Sequence, residues 1–311
     1  MSRSVAAVVV DYHADQALEA CVASLRSNGV DRIVIVENGA PGSTTTAALG
    51  AVTLVEPGMN LGYGRGVNRG AAALPASAYL LVSNPDVVVH DGAVEAMVSF
   101  LDEHPRVGIV GPTILRPDGS PYPSLRVFPN VWLAAAHALL APWWPHNPAT
   151  ARYRAPRPDG TVDWVSGACF VVRRSVFERV GGFDERYFMF AEDMALCWRI
   201  RALGLEVAAV PEAIVTHVEG LSRQRATRDM IIAHHRSALR FEWQTARGWR
   251  RLLAPLATAV LGLRLVAMLV AQDWASRRDR VSPGGRGVDS GGAASGSVVE
   301  SRSQPRAKRP T

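Results

Sequence analysis

Cysteine is scarce in this chain: three residues in 311, Cys21, Cys169 and Cys197, widely spaced and odd in number. No C-x-x-C pair occurs, which argues against a disulfide framework or a zinc site and makes a reducing compartment the expectation. Lysine is nearly missing; Lys308 is the single one among 34 basic residues, a coding bias rather than a functional signal. Residues 1–222 lack any positive excess, with 17 Arg against 22 Asp and Glu, a net of −5. No nucleic-acid footprint is therefore expected there. All the positive balance belongs to residues 223–311, where 17 Lys and Arg face 6 acids, a net of +11. The N-terminus lacks a charged region followed by a long apolar core and reads as a strand from Val5, so no signal peptide is expected. A dinucleotide fingerprint after that first strand is also missing, which excludes a dehydrogenase.

What is present is strand–helix alternation. SVAAVVVDYH, DRIVIVENG and VTLVEPG read as buried strands because their apolar residues run without alternation. A helix is expected from Ala14 to Ser27 and another from Gly64 to Leu74. AYLLVSNPDVVV is read as a strand carrying Asp86. This pattern predicts an α/β fold built on right-handed crossovers and a mostly parallel sheet, whose ligands bind beyond the carboxyl ends of the strands. Asp11, Glu37, Asn60 and Asp86 each fall where such a strand is predicted to end. Residues 111–158, rich in Pro, Trp and Tyr, read as an excursion over the site with a short helix near Val131–Leu140. TVDWVSGACFVVRR and LEVAAVPEAIVTHVEG supply further strands, the last bearing His217.

Chemistry concentrates in two places. GGFDERYFMFAEDMALCWRIR delivers Glu192 and Asp193 through an aromatic run to the start of a helix. Apolar neighbours and a helix N-terminus can hold a carboxylate at a chosen pKa for work as a general base; the bland alternative is simple N-capping. In Ser83-Asn84-Pro85-Asp86 the proline stiffens the turn, so Asp86 can face a divalent cation and a diphosphate; the alternative is an Asx turn. His217 is either a hydrogen-bonded core histidine or a second metal ligand beside Asp86. NLGYGRGVNRG is either a tight loop into a helix or a backbone approach to a nucleotide with Arg65 facing phosphate. Trp164 and Trp198 flank the acidic pair and read either as core or as faces for a sugar or lipid.

Residues Ala226–Trp249 read as a basic helix, followed by a long apolar segment, Leu252–Trp274, interrupted by Pro255 and Arg264. Its length allows a bilayer span, but an arginine near the middle costs about 2.5–3.5 kcal/mol on insertion. A peripheral helix lying in the membrane plane is the preferred reading. The Gly/Ser/Arg/Pro-rich residues 276–311 read as disordered.

In this order, these motifs resemble those of family-2 glycosyltransferases of the GT-A fold, over about residues 5–225. VENGAPGST resembles the family's D-N-x-S turn with Glu37 for aspartate. SNPDV stands where D-x-D is expected, with Asn84 for the first aspartate. The AEDMAL stretch resembles the base-bearing block with Ala195 for its second aspartate. NLGYGRGVN, GSPYPSLR, APWWPHNPAT and GGFDERYFM are similar to phrases of bacterial cell-wall rhamnosyltransferases within that family. The resemblance implies inverting transfer of L-rhamnose from dTDP-L-rhamnose to polyprenyl-diphospho-N-acetylglucosamine, with Mg²⁺ or Mn²⁺ on Asp86 and His217. It implies Asp193 as base with Glu192 beside it, and Asp11, Tyr12, Glu37, Asn60, Gly62, Arg65, Asn68 and Asn84 around the donor nucleotide. Trp164, Gly167 and Trp198 would meet the acceptor. It implies a transferase domain at 1–225, a membrane-associating helical segment at 226–275 and a tail at 276–311, working at the cytoplasmic face of the cell membrane. Three rivals stand beside it. One is a family member with another sugar nucleotide or acceptor. Another is a nucleotidyltransferase, disfavoured because DYHADQ occupies the place of its glycine-rich loop. The last is a catalytically silent membrane-docked protein.

Overall fold

A computed structural model of the chain describes residues 3–14, 16–39, 41–42, 44, 49–122, 124–126, 128, 144, 146–148, 162–218 and 228–281. The chain divides into two compact units, Met1–Leu269 and Val270–Thr311, and the sheet lies in the first.

The first strand, β1 (Val5–Asp11), is buried along nearly its whole length. Helix α1 (Gln16–Ser27) leads to β2 (Arg32–Glu37) and then β3 (Thr53–Val55). Helix α2 (Tyr63–Ala73) returns the chain to β4 (Tyr79–Ser83) on the other side of β1. Next come β5 (Val87–Val89), α3 (Ala93–Glu103), β6 (Val107–Leu115), β7 (Leu125–Arg126), β8 (Trp164–Val165) and β9 (Cys169–Arg173). The described chain continues through α4 (Arg174–Arg179), α5 (Glu192–Ala202), β10 (Glu206–His217), α6 (Arg228–Thr245) and α7 (Arg250–Val281).

The sheet has eight strands in the order β3-β2-β1-β4-β9-β6-β10-β5, with β7 and β8 as a separate antiparallel pair. β9 and β5 run against their neighbours, and the other pairings are parallel. Successive side chains of a strand point to opposite faces. Accordingly Ala7 and Val9 of β1 join one core with α1 and α3 residues such as Leu18, Leu25 and Met97. Ala6, Val8 and Val10 join the other core, with Val67 of α2 and Leu196 and Ile200 of α5. Unbroken apolar runs in the sequence thus correspond to strands covered on both faces.

The structure amends several expectations. The AYLLVSNPDVVV stretch is two strands: β4 ends at Ser83, and β5 lies at the sheet's far edge, antiparallel to β10. Asp86 therefore sits in the crossing turn, because Pro85 supplies no N–H to continue a ladder. Asn60 is in a loop, well past the end of β3 at Val55. The 161–175 stretch breaks into β8 and the reversed β9 and passes into α4 at Arg174. α7 continues past residue 275 to Val281. The helix expected near Val131–Leu140 lies outside the described residues.

Candidate active site

Asp11 and Glu37 end adjacent parallel strands and face each other in register. Both are buried. Asp11 accepts the Ala14 N–H at 3.1 Å and the Thr44 hydroxyl at 2.6 Å. Glu37 accepts the N–H groups of Gly42 at 3.2 Å and Thr44 at 3.1 Å. The two carboxylates thereby organise the turn after β2. Tyr12 next to them is 45% exposed, its ring edge against His13 with centroids 4.6 Å apart.

Asn38, absent from the sequence-based candidates, ties that strand end to the glycine-rich loop. Its amide donates to Asn60 Oδ1 at 3.0 Å and accepts the Leu61 N–H at 2.8 Å. Asn60 in turn accepts the Gly62 N–H at 2.8 Å. Gly62 has φ +80, and a Cβ there would meet the Phe188 carbonyl oxygen at 2.1 Å. Both facts demand glycine. A Cβ at Gly64 would meet Phe183 at 2.9 Å, and one at Gly70 would meet Val8 at 2.6 Å. These glycines let α2 lie close on the sheet and on the aromatic loop, so the close approach is to protein.

The side chains of α2 also serve that loop. Asn68 donates to the Phe183 carbonyl at 2.9 Å and accepts the Phe183 N–H at 2.8 Å. Arg65 donates from Nε to the Glu185 carbonyl at 2.8 Å, and the Tyr63 N–H donates to the Phe188 carbonyl at 3.1 Å. The residues expected around a nucleotide, Gly62, Arg65 and Asn68, are thus placed where they hold the segment 183–188.

That segment leads to a strained turn. Phe190 (φ +68) and Ala191 (φ +59) are consecutive non-glycine residues in the left-handed region, each costing about 1–3 kcal/mol. Ala191 is the N-cap of α5 and offers no side-chain cap. Asp193 follows in the first turn, at the positive end of the helix dipole. Its Oδ1 accepts the Met194 N–H at 2.8 Å, and its Oδ2 accepts the Gly167 N–H at 2.8 Å. Capping and a reach across the site thus coexist in one side chain. Burial pushes the Asp193 carboxyl above the usual carboxylate range, against the pull of those two N–H groups and of Arg126. Glu192 beside it is buried. Ala195, where the family pattern has an acid, is fully buried against Tyr187 and Phe241.

Tyr63, also absent from the sequence-based candidates, closes the arrangement. Its hydroxyl donates to the Gly167 carbonyl at 2.5 Å, so the Gly167 peptide is held on one side by Tyr63 and on the other by Asp193. Burial raises the Tyr63 pKa well above the ordinary phenol value, with Glu192, Asp193 and Asp86 adding repulsion. The phenol therefore stays protonated and able to donate. Its position inside GYGRGVN is the signal by which the sequence could have pointed to it.

Asp86 and His217 are both buried, with Oδ1 and Nε2 3.1 Å apart. Asn84 Nδ2 lies 3.4 Å from the same ring nitrogen. Thus one carboxylate and one imidazole converge, a donor set suited to a divalent cation that takes its remaining ligands from a diphosphate. Among the described residues no group of three or more His, Cys, Asp and Glu gathers for a metal. Trp164 is buried, with the Arg126 guanidinium 5.4 Å from its ring centroid. Trp198 packs with the Tyr187–Ala195–Phe241 cluster and under Arg247, at 5.3 Å. Of the acceptor candidates, Gly167 touches Asp193 directly.

A sequence profile described as "Glycosyltransferase like family 2" matches residues 2–236. The chain is 39% identical over 274 residues to the N-acetylglucosaminyl-diphospho-decaprenol L-rhamnosyltransferase of Mycobacterium tuberculosis, covering 82% of this chain and 88% of that protein. It is 24% identical to the low-salt glycan biosynthesis hexosyltransferase Agl10 of Haloferax volcanii, over 70% of this chain and 68% of that one. Among solved structures, the mannosyltransferase PcManGT from Pyrobaculum calidifontis, in complex with GDP-Man and Mn²⁺, superposes with a TM-score of 0.55 at 15% identity. That match covers 89% of this chain and 80% of the other. GalNAc-T7 with UDP, GalNAc and Mn²⁺ gives 0.58 at 13% identity, with 82% of this chain covering 51% of that one. At such identities these structures speak to the fold alone.

Proposed function

Because the chain belongs to the family-2 glycosyltransferases and has their GT-A fold, we propose that it moves L-rhamnose from dTDP-L-rhamnose onto polyprenyl-diphospho-N-acetylglucosamine. The 39% identity to an enzyme so named, over most of both chains, supports that choice of donor and acceptor within the family. The observation that carries the mechanism is Asp193, half-buried at the start of α5 and within reach of a hydroxyl brought beside Gly167.

In this mechanism Asp193 takes the proton from the acceptor hydroxyl as that oxygen attacks the anomeric carbon from the face opposite the leaving diphosphate, inverting it in one displacement. Its raised pKa makes it a stronger base than a free carboxylate. The Gly167 and Met194 N–H groups fix its direction, and the Tyr63 hydroxyl holds the Gly167 carbonyl. Glu192 orients it or contacts the acceptor. Mg²⁺ or Mn²⁺ would be held by Asp86 and His217 and would neutralise charge on the leaving diphosphate. The convergence of the Asp86 carboxylate and the His217 imidazole supports that reading. Asp11, Tyr12 and Glu37 stand on the donor's side, at the carboxyl ends of β1 and β2, where sheets of this kind bind ligands, and Asn60 joins them from its loop through Asn38.

A membrane surface is part of the same proposal. Within the first unit, α7 buries Ala254 and Ala257 on one side and exposes Leu252 (81%), Leu256, Leu263 (73%) and Val266 on the other. A largely exposed apolar helix that rests on the protein at Ala254 and Ala257 and carries Arg264 near its middle suits the plane of a membrane better than a span across it. The proposed domain limits are transferase at 1–225, membrane-associating helices at 226–275 and a basic tail at 276–311, into which α7 runs as far as Val281, with the site at the cytoplasmic face.

The test is transfer from dTDP-L-rhamnose to a short polyprenyl-diphospho-N-acetylglucosamine, with Mg²⁺, Mn²⁺ or EDTA, for wild type and Asp193→Asn. Metal-dependent product lost in the variant is expected. Turnover only with another sugar nucleotide would refute the rhamnose assignment, and no turnover with any donor would favour a silent binding protein.

A further inference from the structure

The strained turn before α5 has more support than its own loop gives it, and the additional support comes from one helix. The Ser237 hydroxyl of α6, buried, donates to the Met189 carbonyl at 2.7 Å. This is the last peptide before Phe190 and Ala191 enter the left-handed region. Two residues earlier, the fully buried Tyr187 donates its hydroxyl to Gln244 Oε1 of α6 at 2.8 Å. The Phe190 ring meets His234 edge-on, with centroids 5.4 Å apart, and Phe241 packs with Tyr187 and with Ala195 of α5. Contacts therefore fall on both sides of the left-handed pair: at 187 and 189 before it, at 190 within it and at 195 after it.

Backbone in a sparsely populated conformation persists only where its surroundings over-determine it. On the far side the same loop is gripped by α2, through Tyr63 to Phe188 and Asn68 to Phe183. α2 holds the loop where it begins, whereas α6 holds it at the residues that turn. We propose that Ser237, with the Tyr187–Gln244 pair, is a positioning element: α6 clamps the Phe190–Ala191 turn and so sets where the Asp193 carboxylate stands. This rests on the reading of Asp193 as the base. It gives α6, outside the sheet and outside the donor's strand ends, a part in turnover. A serine is suited to the task because a short hydroxyl can reach a carbonyl from a buried helix face without displacing the chain. The alanine at 195 is suited as well, since a larger side chain there would push against Tyr187 and Phe241.

The experiment uses the full-length chain with three variants in parallel: Ser237→Ala, Tyr187→Phe and Asp193→Asn. Tyr187→Phe removes one oxygen from an otherwise unchanged ring and decides the question if Ser237→Ala does not fold. For both clamp variants kcat is expected to fall between about tenfold and a hundredfold, the range a small misplacement of a reacting group costs. The KM for the sugar nucleotide is expected to stay within about twofold, the pattern of an interaction realised only in the transition state. Amide exchange over 189–194 is expected to quicken while β1 and β4 keep their protection. Wild-type kcat in the clamp variants, with Asp193→Asn inactive, would overturn the clamp and leave the base standing. Loss spread equally over kcat, donor KM and protection of the whole sheet would reduce α6 to general structural support and also overturn it. Full activity of Asp193→Asn would instead remove the base assignment on which the proposal rests.

Discussion

At the residue scale the carboxyl of Asp193 shows how much environment decides. The same AED sequence on a solvent-exposed helix would titrate near about 4 and cap a turn. Here burial raises its pKa, so the acid limb of the kcat–pH profile is expected above the ordinary carboxylate range. Stability has the matching sign. With a folded pKa above the unfolded one, the native state binds more protons in that window. Asp193 thus contributes stability that is complete below the unfolded pKa and fades as pH rises through the folded one. Asp193→Asn is expected to flatten that slope in urea titrations across the acid range, while transfer is lost. Two glycines give a second contrast. Gly62→Ala places a methyl on the Phe188 carbonyl at a positive φ and is expected to cost at least about 1–3 kcal/mol. A Cβ at Gly167 meets its neighbours at an ordinary 3.4 Å. Gly167→Ala should therefore keep stability to within about 1 kcal/mol, as urea midpoints would report.

At the element scale α2, whose glycine-rich start reads either as a tight loop into a helix or as an approach to a nucleotide, acts as a packing device. Its glycines seat it on Val8, Val10 and Phe183, and its polar side chains hold 183–188. Gly70→Ala would drive a Cβ to 2.6 Å from Val8 and 2.8 Å from Val36. An overpacking cost of about 1–3 kcal/mol, with unchanged m-value, is expected in denaturant unfolding. The existence of α2 and of strands β1 to β4 was legible because apolar runs and turn residues are local signals. The break between β4 and β5 was not. Apolar residues stand on both sides of Ser83-Asn84-Pro85-Asp86, and nothing local says that the second half crosses to the other edge of the sheet. That choice depends on β10, far later in the chain, offering an antiparallel edge.

At the scale of the whole molecule, charge and apolar surface meet in the C-terminal part of the first unit. Trp243 and Trp249 are exposed near the start of α7, beside Arg247 and Arg251, and the leucine face of α7 follows. Aromatic rings and arginines at the end of an apolar face suit an anionic lipid surface. Leu256→Asp and Leu263→Asp are each expected to weaken binding to anionic vesicles about tenfold or more, from the apolar burial they forfeit. Added salt is expected to weaken the wild type as well. Turnover on a short water-soluble acceptor should be unaffected, since neither side chain touches the site. Vesicle flotation and the transfer assay measure the two outcomes separately.

The sequence by itself determined the alternation of elements, the mostly parallel sheet, the family and the two acidic stretches proposed to bear the chemistry, because each is written in short-range patterns of apolar, glycine and carboxylate residues. Tertiary structure decided what those residues face. It raised the Asp193 pKa, set Asp86 against His217 at 3.1 Å, and brought Tyr63 to the Gly167 backbone that also meets Asp193. It set Arg65 and Asn68 against the loop 183–188, and Trp198 against α6. A side chain's partner is fixed by packing between elements far apart in the chain, and no local pattern carries that information.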